Sequence, residues 1–317
     1  MTAASILVVG DANVDLVLRG DVVPRFGQAE QLLDGGDLVL GGSASIVACG
    51  LAALEVPTRL TARVGDDTFG RFTLDALESA GVDLSAIETD AALPTGLSVI
   101  LSAPGDRAIL TVPGTIPTLA PEAVLAAVEA SLPTHIHVAS YFLQPALAAS
   151  LPQLFAALRE RGISTSLDTN WDPADVWNGL GDVLPFVDYL LPNLEELRAI
   201  SLALGSTAAS DVDLAHGIAV LGPRVVVKAG ADGGWSIGAD GVVTSMPGLP
   251  VSVVDTTGAG DSFDAGYLAA IAYGITDESE RLHWATRAGS LSTLAAGGTG
   301  AQASLAQVRE GFARVAS

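Results

Sequence analysis

Lysine is almost missing from this 317-residue chain: Lys228 is the only one, beside fourteen arginines. Acidic residues outnumber basic ones by 36 to 15, for a formal net charge of −21. Such a surface repels phosphate backbones and anionic lipid, which argues against nucleic acid and membrane surfaces as partners. The excess of arginine over lysine reads as compositional bias in the genome. Cysteine is nearly absent too. Cys49, inside 46-IVACGLAAL-54, allows no internal disulfide and no cysteine-based metal site. With nothing basic beside it in sequence, it reads as a small core residue. Hydrophobic residues make up 49% of the chain, yet no uncharged apolar run reaches the roughly 18–20 residues of a membrane span. The start, 1-MTAASILVVGDANVDL-16, has no basic region and meets Asp11 too early for a signal peptide. A cytoplasmic protein is expected.

What is present is alternation. β-branched runs at 5–10, 58–65, 134–140, 164–170, 187–193 and 224–230 read as strands. Segments 43–55, 67–81, 121–132, 145–162 and 193–205 read as helices between them. Strands that are near-continuous Val, Ile and Leu, each followed by a helix, predict an α/β fold with a mainly parallel sheet covered on both faces. Two segments interrupt the rhythm. Residues 15–42 carry turn signals and no helix, and 95-TGLSVILSAPGDRAILTVPG-114 reads as a hairpin around Pro-Gly-Asp-Arg. The expected division is a core of 1–14, 41–91 and 117–317, with 15–40 and 92–116 pairing as a small β-sheet lid. Such a lid would sit over the C-terminal edge of the main sheet, where open α/β folds bind ligands. A decorative sheet or a dimer contact is the alternative.

The stretch 254-VDTTGAGDSFDAGYLAA-270 carries chemistry. Glycines at a helix N-terminus expose backbone N–H groups to an anion. A carboxylate placed there, Asp261, makes sense when it faces a hydroxyl. It could then take the hydroxyl proton as oxygen attacks phosphorus, while the loop amides neutralise the transferring group. The plainer alternative is an Asp favouring the helix dipole, with glycines serving a tight turn.

That stretch resembles the C-terminal signature of the ribokinase-like (PfkB) carbohydrate kinase family. The resemblance extends along the chain through 7-LVVGDANVDLVL-18, 64-VGDDTFG-70, 191-LPNLEEL-197 and 226-VVKAGADGG-234. It implies a three-layer ribokinase-like fold and an ATP- and Mg²⁺-dependent kinase. No GxxxxGK[ST] occurs, so a P-loop kinase is excluded. By resemblance, Asp261 is the catalytic base, and the amides of Gly258, Ala259 and Gly260 form the anion hole. Asn193 and Glu196 help hold Mg²⁺, partly through water, as a hard cation that keeps several waters would allow. Read alone, the same two residues are a helix cap with an acidic first turn. Lys228 and Gly230 match the segment lining the ATP site, although Lys228 reads equally as a surface residue with no charge role. Asp255 and Thr257 match positions that bind a monovalent cation such as K⁺ in some members; Asp255 could also merely cap a turn. On the acceptor side, Asp15 matches the sugar-binding Asp, with Asn13 and Asp11 nearby, one of which could serve only backbone groups. Gly41 and Gly42 match the glycine pair where substrate approaches backbone, and Gln144 falls where some members carry a substrate-contacting acid.

One position departs from the pattern. In 41-GGSASIVA-48, Ile46 replaces the usual Asn, so either Ser43 or Ser45 compensates or the acceptor differs from ribose. A phosphorylated sugar needs a cationic clamp, and the candidates are Arg63 and Arg107, the latter reading first as an exposed turn residue. An uncharged sugar is therefore the expected acceptor, with an acidic sugar meeting one arginine as an alternative. A nucleoside (adenosine-type) kinase on the same fold is the close alternative, although a nucleoside would want aromatic stacking and the lid segments contain only Phe26. A dinucleotide oxidoreductase is disfavoured because the first strand ends in 10-GDANVD-15, not GxGxxG. A catalytically silent sugar-binding protein would have lost the base. Exposed lid edges would suit a homodimer.

Overall fold

The computed structural model describes residues 2–28, 30–103 and 106–312. Its strands are, in chain order, β1 (Ile6–Val9), β2 (Asn13–Arg19), β3 (Gly35–Gly41), β4 (Thr58–Thr61) and β5 (Arg63–Gly65). Next come β6 (Glu88–Asp90), β7 (Gly96–Ala103), β8 (Asp106–Val112), β9 (His135–Val138) and β10 (Ser164–Leu167). The last are β11 (Tyr189–Leu190), β12 (Arg224–Lys228), β13 (Gly234–Ile237) and β14 (Val243–Met246).

The main sheet runs β14-β13-β12-β11-β10-β9-β1-β4. Its strands from β4 to β12 are parallel, and β13 and β14 return antiparallel at one edge. The side chains of β1 show why both faces are covered. Leu7 and Val9 join the core packed under helices 121–131, 151–160, 194–203 and 211–219. Ile6 and Val8 point the other way, into the core beneath helices 43–53, 68–79, 259–272 and 278–292. All four are buried, each contributing about 1.5–3 kcal/mol of apolar burial. The chain is thus an α/β fold with helices on both faces of a mainly parallel sheet.

The two interrupting segments pair into one four-stranded sheet, β3-β2-β7-β8, with β2 and β7 parallel and the other pairs antiparallel. The hairpin of β7 and β8 has its register at Ala103 and Asp106; its Pro104–Gly105 tip lies outside the described residues. Asp67 fastens this sheet to the core. Its carboxylate caps the helix Thr68–Ser79 through the Gly70 amide (2.7 Å) and also accepts from the Thr95 amide and hydroxyl, both 2.8 Å, just before β7.

Several elements are shorter or broken relative to the sequence expectation. The run 58–65 splits, because Arg63–Gly65 leaves the main sheet to pair with β6. The helix expected over 145–162 divides into Pro145–Ala148 and Leu151–Glu160. Pro152 has no N–H for the Ala148 carbonyl, so one helix cannot run through. Segments 164–170 and 187–193 are strand only at Ser164–Leu167 and Tyr189–Leu190, and their ends turn into the site.

Candidate active site

The C-terminal ends of β1, β9, β10 and β12 meet the start of the helix Ala259–Ala272. Gly258 begins that helix at φ 71°, a left-handed conformation that favours glycine. A Cβ there would stand 2.5 Å from Gly298 and 3.1 Å from Ile46. Ile46 is therefore packed beneath the anion loop and 3% exposed, where the family pattern has an amide. Ser45 does not compensate, since its hydroxyl donates to the Asp11 carbonyl (3.2 Å). Ser43 does reach the site: its Oγ donates to Asp261 Oδ1 and accepts from Asn170 Nδ2 at 3.2 Å. Asn170, itself left-handed at φ 51°, accepts the Ser140 amide at 2.8 Å. The ends of β9 and β10 thus orient Asp261 through Asn170 and Ser43, leaving Oδ2 for another partner.

Asp261 is half-buried. Desolvation pushes its carboxyl up to about 7; the Ser43 hydroxyl opposes the shift, and the nearby Asp168 charge adds to it. Asp15 is also raised, to about 6, by burial and then by the Asp11 charge, with the Asn13 amide and Arg107 opposing. Asn13 Nδ2 donates to Asp15 Oδ1 at 2.9 Å. Gly41 faces the same carboxylate, and a Cβ there would collide with it. Gly42, at φ 89°, precedes helix 43–53, whose first amides are capped by Asp11: Ser43 N at 3.2 Å and Ala44 N at 3.0 Å. Asp11 serves backbone groups, and Asn13 Nδ2 also donates to the Val14 carbonyl at 3.4 Å. Burial raises the Asp11 carboxyl too. Gln144 is buried, donating to the Ala139 carbonyl at 2.7 Å, while its Oε1 has no protein partner.

The donor side is a cavity of about 440 Å³ lined in part by Lys228, Gly230, Ala259, Gly260, Phe263 and Gly289. Its size suits a nucleotide. Lys228 is not a surface residue. Its Nζ lies 2.7 Å from Asp168 and 3.1 Å from Asp264, with the side chain 10% exposed. The expectation that it has no charge role is corrected, because an ammonium buried there is held by its carboxylates.

Asn193 and Glu196 form a reciprocal cap on the helix Leu194–Ala203. Asn193 Oδ1 accepts the Glu196 amide (2.9 Å), and Glu196 Oε2 accepts the Asn193 amide (2.8 Å). Glu196 Oε1 is outside the cap. Burial and the Asp168 charge push this carboxyl up to about 7, so a cation nearby would favour its ionised form. Among the described residues no cluster of three His, Cys, Asp or Glu side chains could hold a metal ion. A single carboxylate reaching Mg²⁺ through water still fits, because Mg²⁺ retains waters and takes phosphate oxygens. Asp255 accepts the Thr257 amide and hydroxyl, both at 2.9 Å, and the Gly297 amide at 2.9 Å. Here it ties two loops together.

Of the two candidate arginines, Arg63 is engaged elsewhere and Arg107 is exposed, as expected. Arg63 pairs with Asp90 (2.9 Å) and Glu88 (3.7 Å) and bonds Thr118, so it holds β5 to β6 and is no acceptor clamp. Arg107 reaches from the hairpin to Thr257 Oγ1 at 3.4 Å, and its charge is felt at Asp15 and Asp255. Phe26 is 98% exposed. Sequence reasoning missed Asp168, Asn170 and Asp264. The signal was available: 168-DTN-170 follows directly on a parallel strand, where open α/β sheets collect ligand-binding groups. Trp171, next in the chain and half-exposed, packs edge-on against Trp177 at 5.0 Å.

The chain is similar to known proteins along nearly its whole length. The pfkB family carbohydrate kinase model matches residues 3–306. A fructokinase of Klebsiella pneumoniae is 33% identical, over 92% of this chain and 94% of its own. An ATP-dependent ribose-1-phosphate kinase of Halopiger xanaduensis is 33% identical over 83% of each chain. The solved ribokinase of Arabidopsis thaliana, complexed with ribose and ATP, superposes with a TM-score of 0.82 at 26% identity, covering 96% of this chain and 97% of that one. With nearly its whole length matched by the family model, this chain belongs to the pfkB family of carbohydrate kinases.

Proposed function

We propose that this kinase transfers the γ-phosphoryl group of ATP to a hydroxyl of a small uncharged sugar, with Asp261 as general base. One observation carries the reading. Asp261 stands in the first turn behind Gly258–Gly260, its Oδ1 engaged by Ser43 and its carboxyl raised to about 7. A base with that affinity for protons is suited to neutral pH. Asp15 and Asn13 would hold acceptor hydroxyls on one side, and the donor cleft lies on the other. As the acceptor oxygen bonds phosphorus, its proton passes to Asp261 Oδ2, and ADP leaves with the electron pair of the broken P–O bond. The amides of Gly258, Ala259 and Gly260 face the charge that grows on the transferring group. Mg²⁺, reached through water by Glu196 as capped by Asn193, would neutralise the donor phosphates. The small sheet would close as a lid, because water in the acceptor position would turn the enzyme into an ATPase.

A second reading, an acidic sugar, is favoured by Arg107, whose guanidinium reaches Thr257 beside the anion loop. The lid's exposed apolar side chains Ile109, Leu110 and Val112 are where a second copy would pair, which sedimentation measures. The deciding experiment is ADP release from Mg·ATP across ketoses, aldoses, sugar acids and nucleosides, with Asp261→Asn in parallel. One neutral sugar stimulating turnover, with loss in the variant, supports the reading. Turnover retained in Asp261→Asn ends it.

A further inference from the structure

The single lysine of the chain is placed at the floor of the cleft, and the mechanism above gives it no task. Lys228 ends β12, Asp168 follows β10, and Asp264 lies on helix 259–272. The Lys228 ammonium joins all three elements, at 2.7 Å to Asp168 Oδ2 and 3.1 Å to Asp264 Oδ2. Asp264 is three residues beyond Asp261, so the two carboxyl groups share one face of the helix a turn apart. The lysine stem also lies against the anion loop: a Cβ on Gly260 would stand 3.7 Å from Nζ.

The charges in this cluster balance in one way. Burial, together with the Asp168 charge, holds the Asp264 carboxyl well above the usual range, although Lys228 opposes it. Burial would raise Asp168 as well, but Lys228 and a hydrogen bond from Asp264 hold it below its ordinary value. Burial likewise opposes the Lys228 charge, and Asp168 and Asp264 outweigh it to keep the ammonium protonated. The cluster is therefore an ammonium set between two carboxyl groups, of which Asp264 holds a proton more readily than Asp168. Buried ion pairs are poor sources of stability compared with apolar packing, which leaves geometry as the reason for this one. An arginine, the basic residue this chain uses everywhere else, carries a wide planar fork where a compact point charge fits between two carboxyls and Gly260.

We propose that Lys228, with Asp168 and Asp264, is a positioning device: it clamps the first two turns of helix 259–272 to the ends of β10 and β12, and so holds Asp261 and the 258–260 amides in line with the donor cleft without contacting either substrate. The inference rests on Asp261 being the base. The charged groups facing Asp261 are Asp11 from the end of β1, Asp168, Lys228, Glu196 from helix 194–203 and Asp264 on its own helix. Lys228 is the cation among them, and its charge lowers the proton affinity of Asp261.

The test is steady-state kinetics with ATP and acceptor varied separately, from about pH 5 to about pH 9, on Lys228→Met, Asp264→Leu and Asp264→Asn. Because a misplacement of about 1 Å costs on the order of 100-fold in rate, Lys228→Met should lose about that much kcat. Both KM values should stay within about threefold, and the acid limb should move to higher pH. Lys228→Met strands the Asp168 charge and could fail to fold. Asp264→Leu strands none, and should show the same loss of kcat at unchanged KM, which Asp264→Asn, keeping a neutral hydrogen-bonding head, should largely rescue. A tenfold rise in KM for ATP with kcat retained would make Lys228 a donor contact and overturn the proposal. Unchanged kcat and an unmoved acid limb in the folded variants would make the cluster merely structural and overturn it equally. Full activity in Asp261→Asn would instead remove the base on which both readings depend.

Discussion

The two walls of the cleft are built on different principles. The wall around Lys228 is sealed: Asp168 and Asp264 are 1% and 0% exposed, and the ammonium bridges one oxygen of each across three elements. The small sheet is open, with Leu38, Ile109, Leu110 and Val112 between 42% and 58% exposed. A reaction whose barrier depends on sub-ångström alignment is served by groups fixed at strand and helix ends. In the proposed function, acceptor recognition falls to the small sheet, which would open and close for each turnover.

That contrast can be broken by mutation. The largest expected effect is on the sealed side: Asp261→Asn should lower kcat by about 10³–10⁴-fold, toward the upper end for loss of a general base, with ATP affinity measured by calorimetry nearly unchanged. Next comes the acceptor carboxylate. Asp15→Ala removes an ionised partner for sugar hydroxyls, each such bond being worth about 1.5–3 kcal/mol. Acceptor KM should therefore rise by about 10–100-fold while KM for ATP holds. Arg107→Gln sharpens the comparison on the lid: acceptor KM should change by about threefold or less for a neutral sugar and by tenfold or more for its acid.

The smallest effect is on stability. The folded Asp261 carboxyl titrates near 7 against an ordinary 3.8. The stability linked to its proton is thus fully present below about pH 4 and is lost as pH rises through 7. Asp261→Asn has no such loss. The melting temperature of the variant minus that of the native protein should grow between about pH 4 and about pH 7 and then level off, as expected where function places a carboxylate against the interests of folding.

Legibility followed locality. The parallel sheet could be read from β-branched runs, because strands buried on both faces admit little else. Asp261 and its glycines could be read because one short segment contains the whole anion site. The helix break at Pro152 is masked because the residues around it keep a helical pattern. The roles of Arg63 and Arg107 are illegible for another reason. Both are arginines near turns, and only the pairing of β5 with β6 engages Arg63 while the hairpin swings Arg107 to Thr257. Nothing local distinguishes them. The same holds for Lys228, whose neighbours in sequence are apolar and whose partners lie 60 and 36 residues away.

By itself, then, the sequence determined the fold class, the pfkB kinship, the position of the candidate base and the absence of a P-loop. These depend on periodicity and on contiguous motifs, which short-range sterics and hydrogen bonding translate directly into structure. Only the tertiary structure decided which carboxyls sit close enough to share protons, which arginine faces the cleft, and that the one lysine clamps the floor of the site. Electrostatic roles depend on distance and burial, and both are set by the folding of segments far apart in the chain.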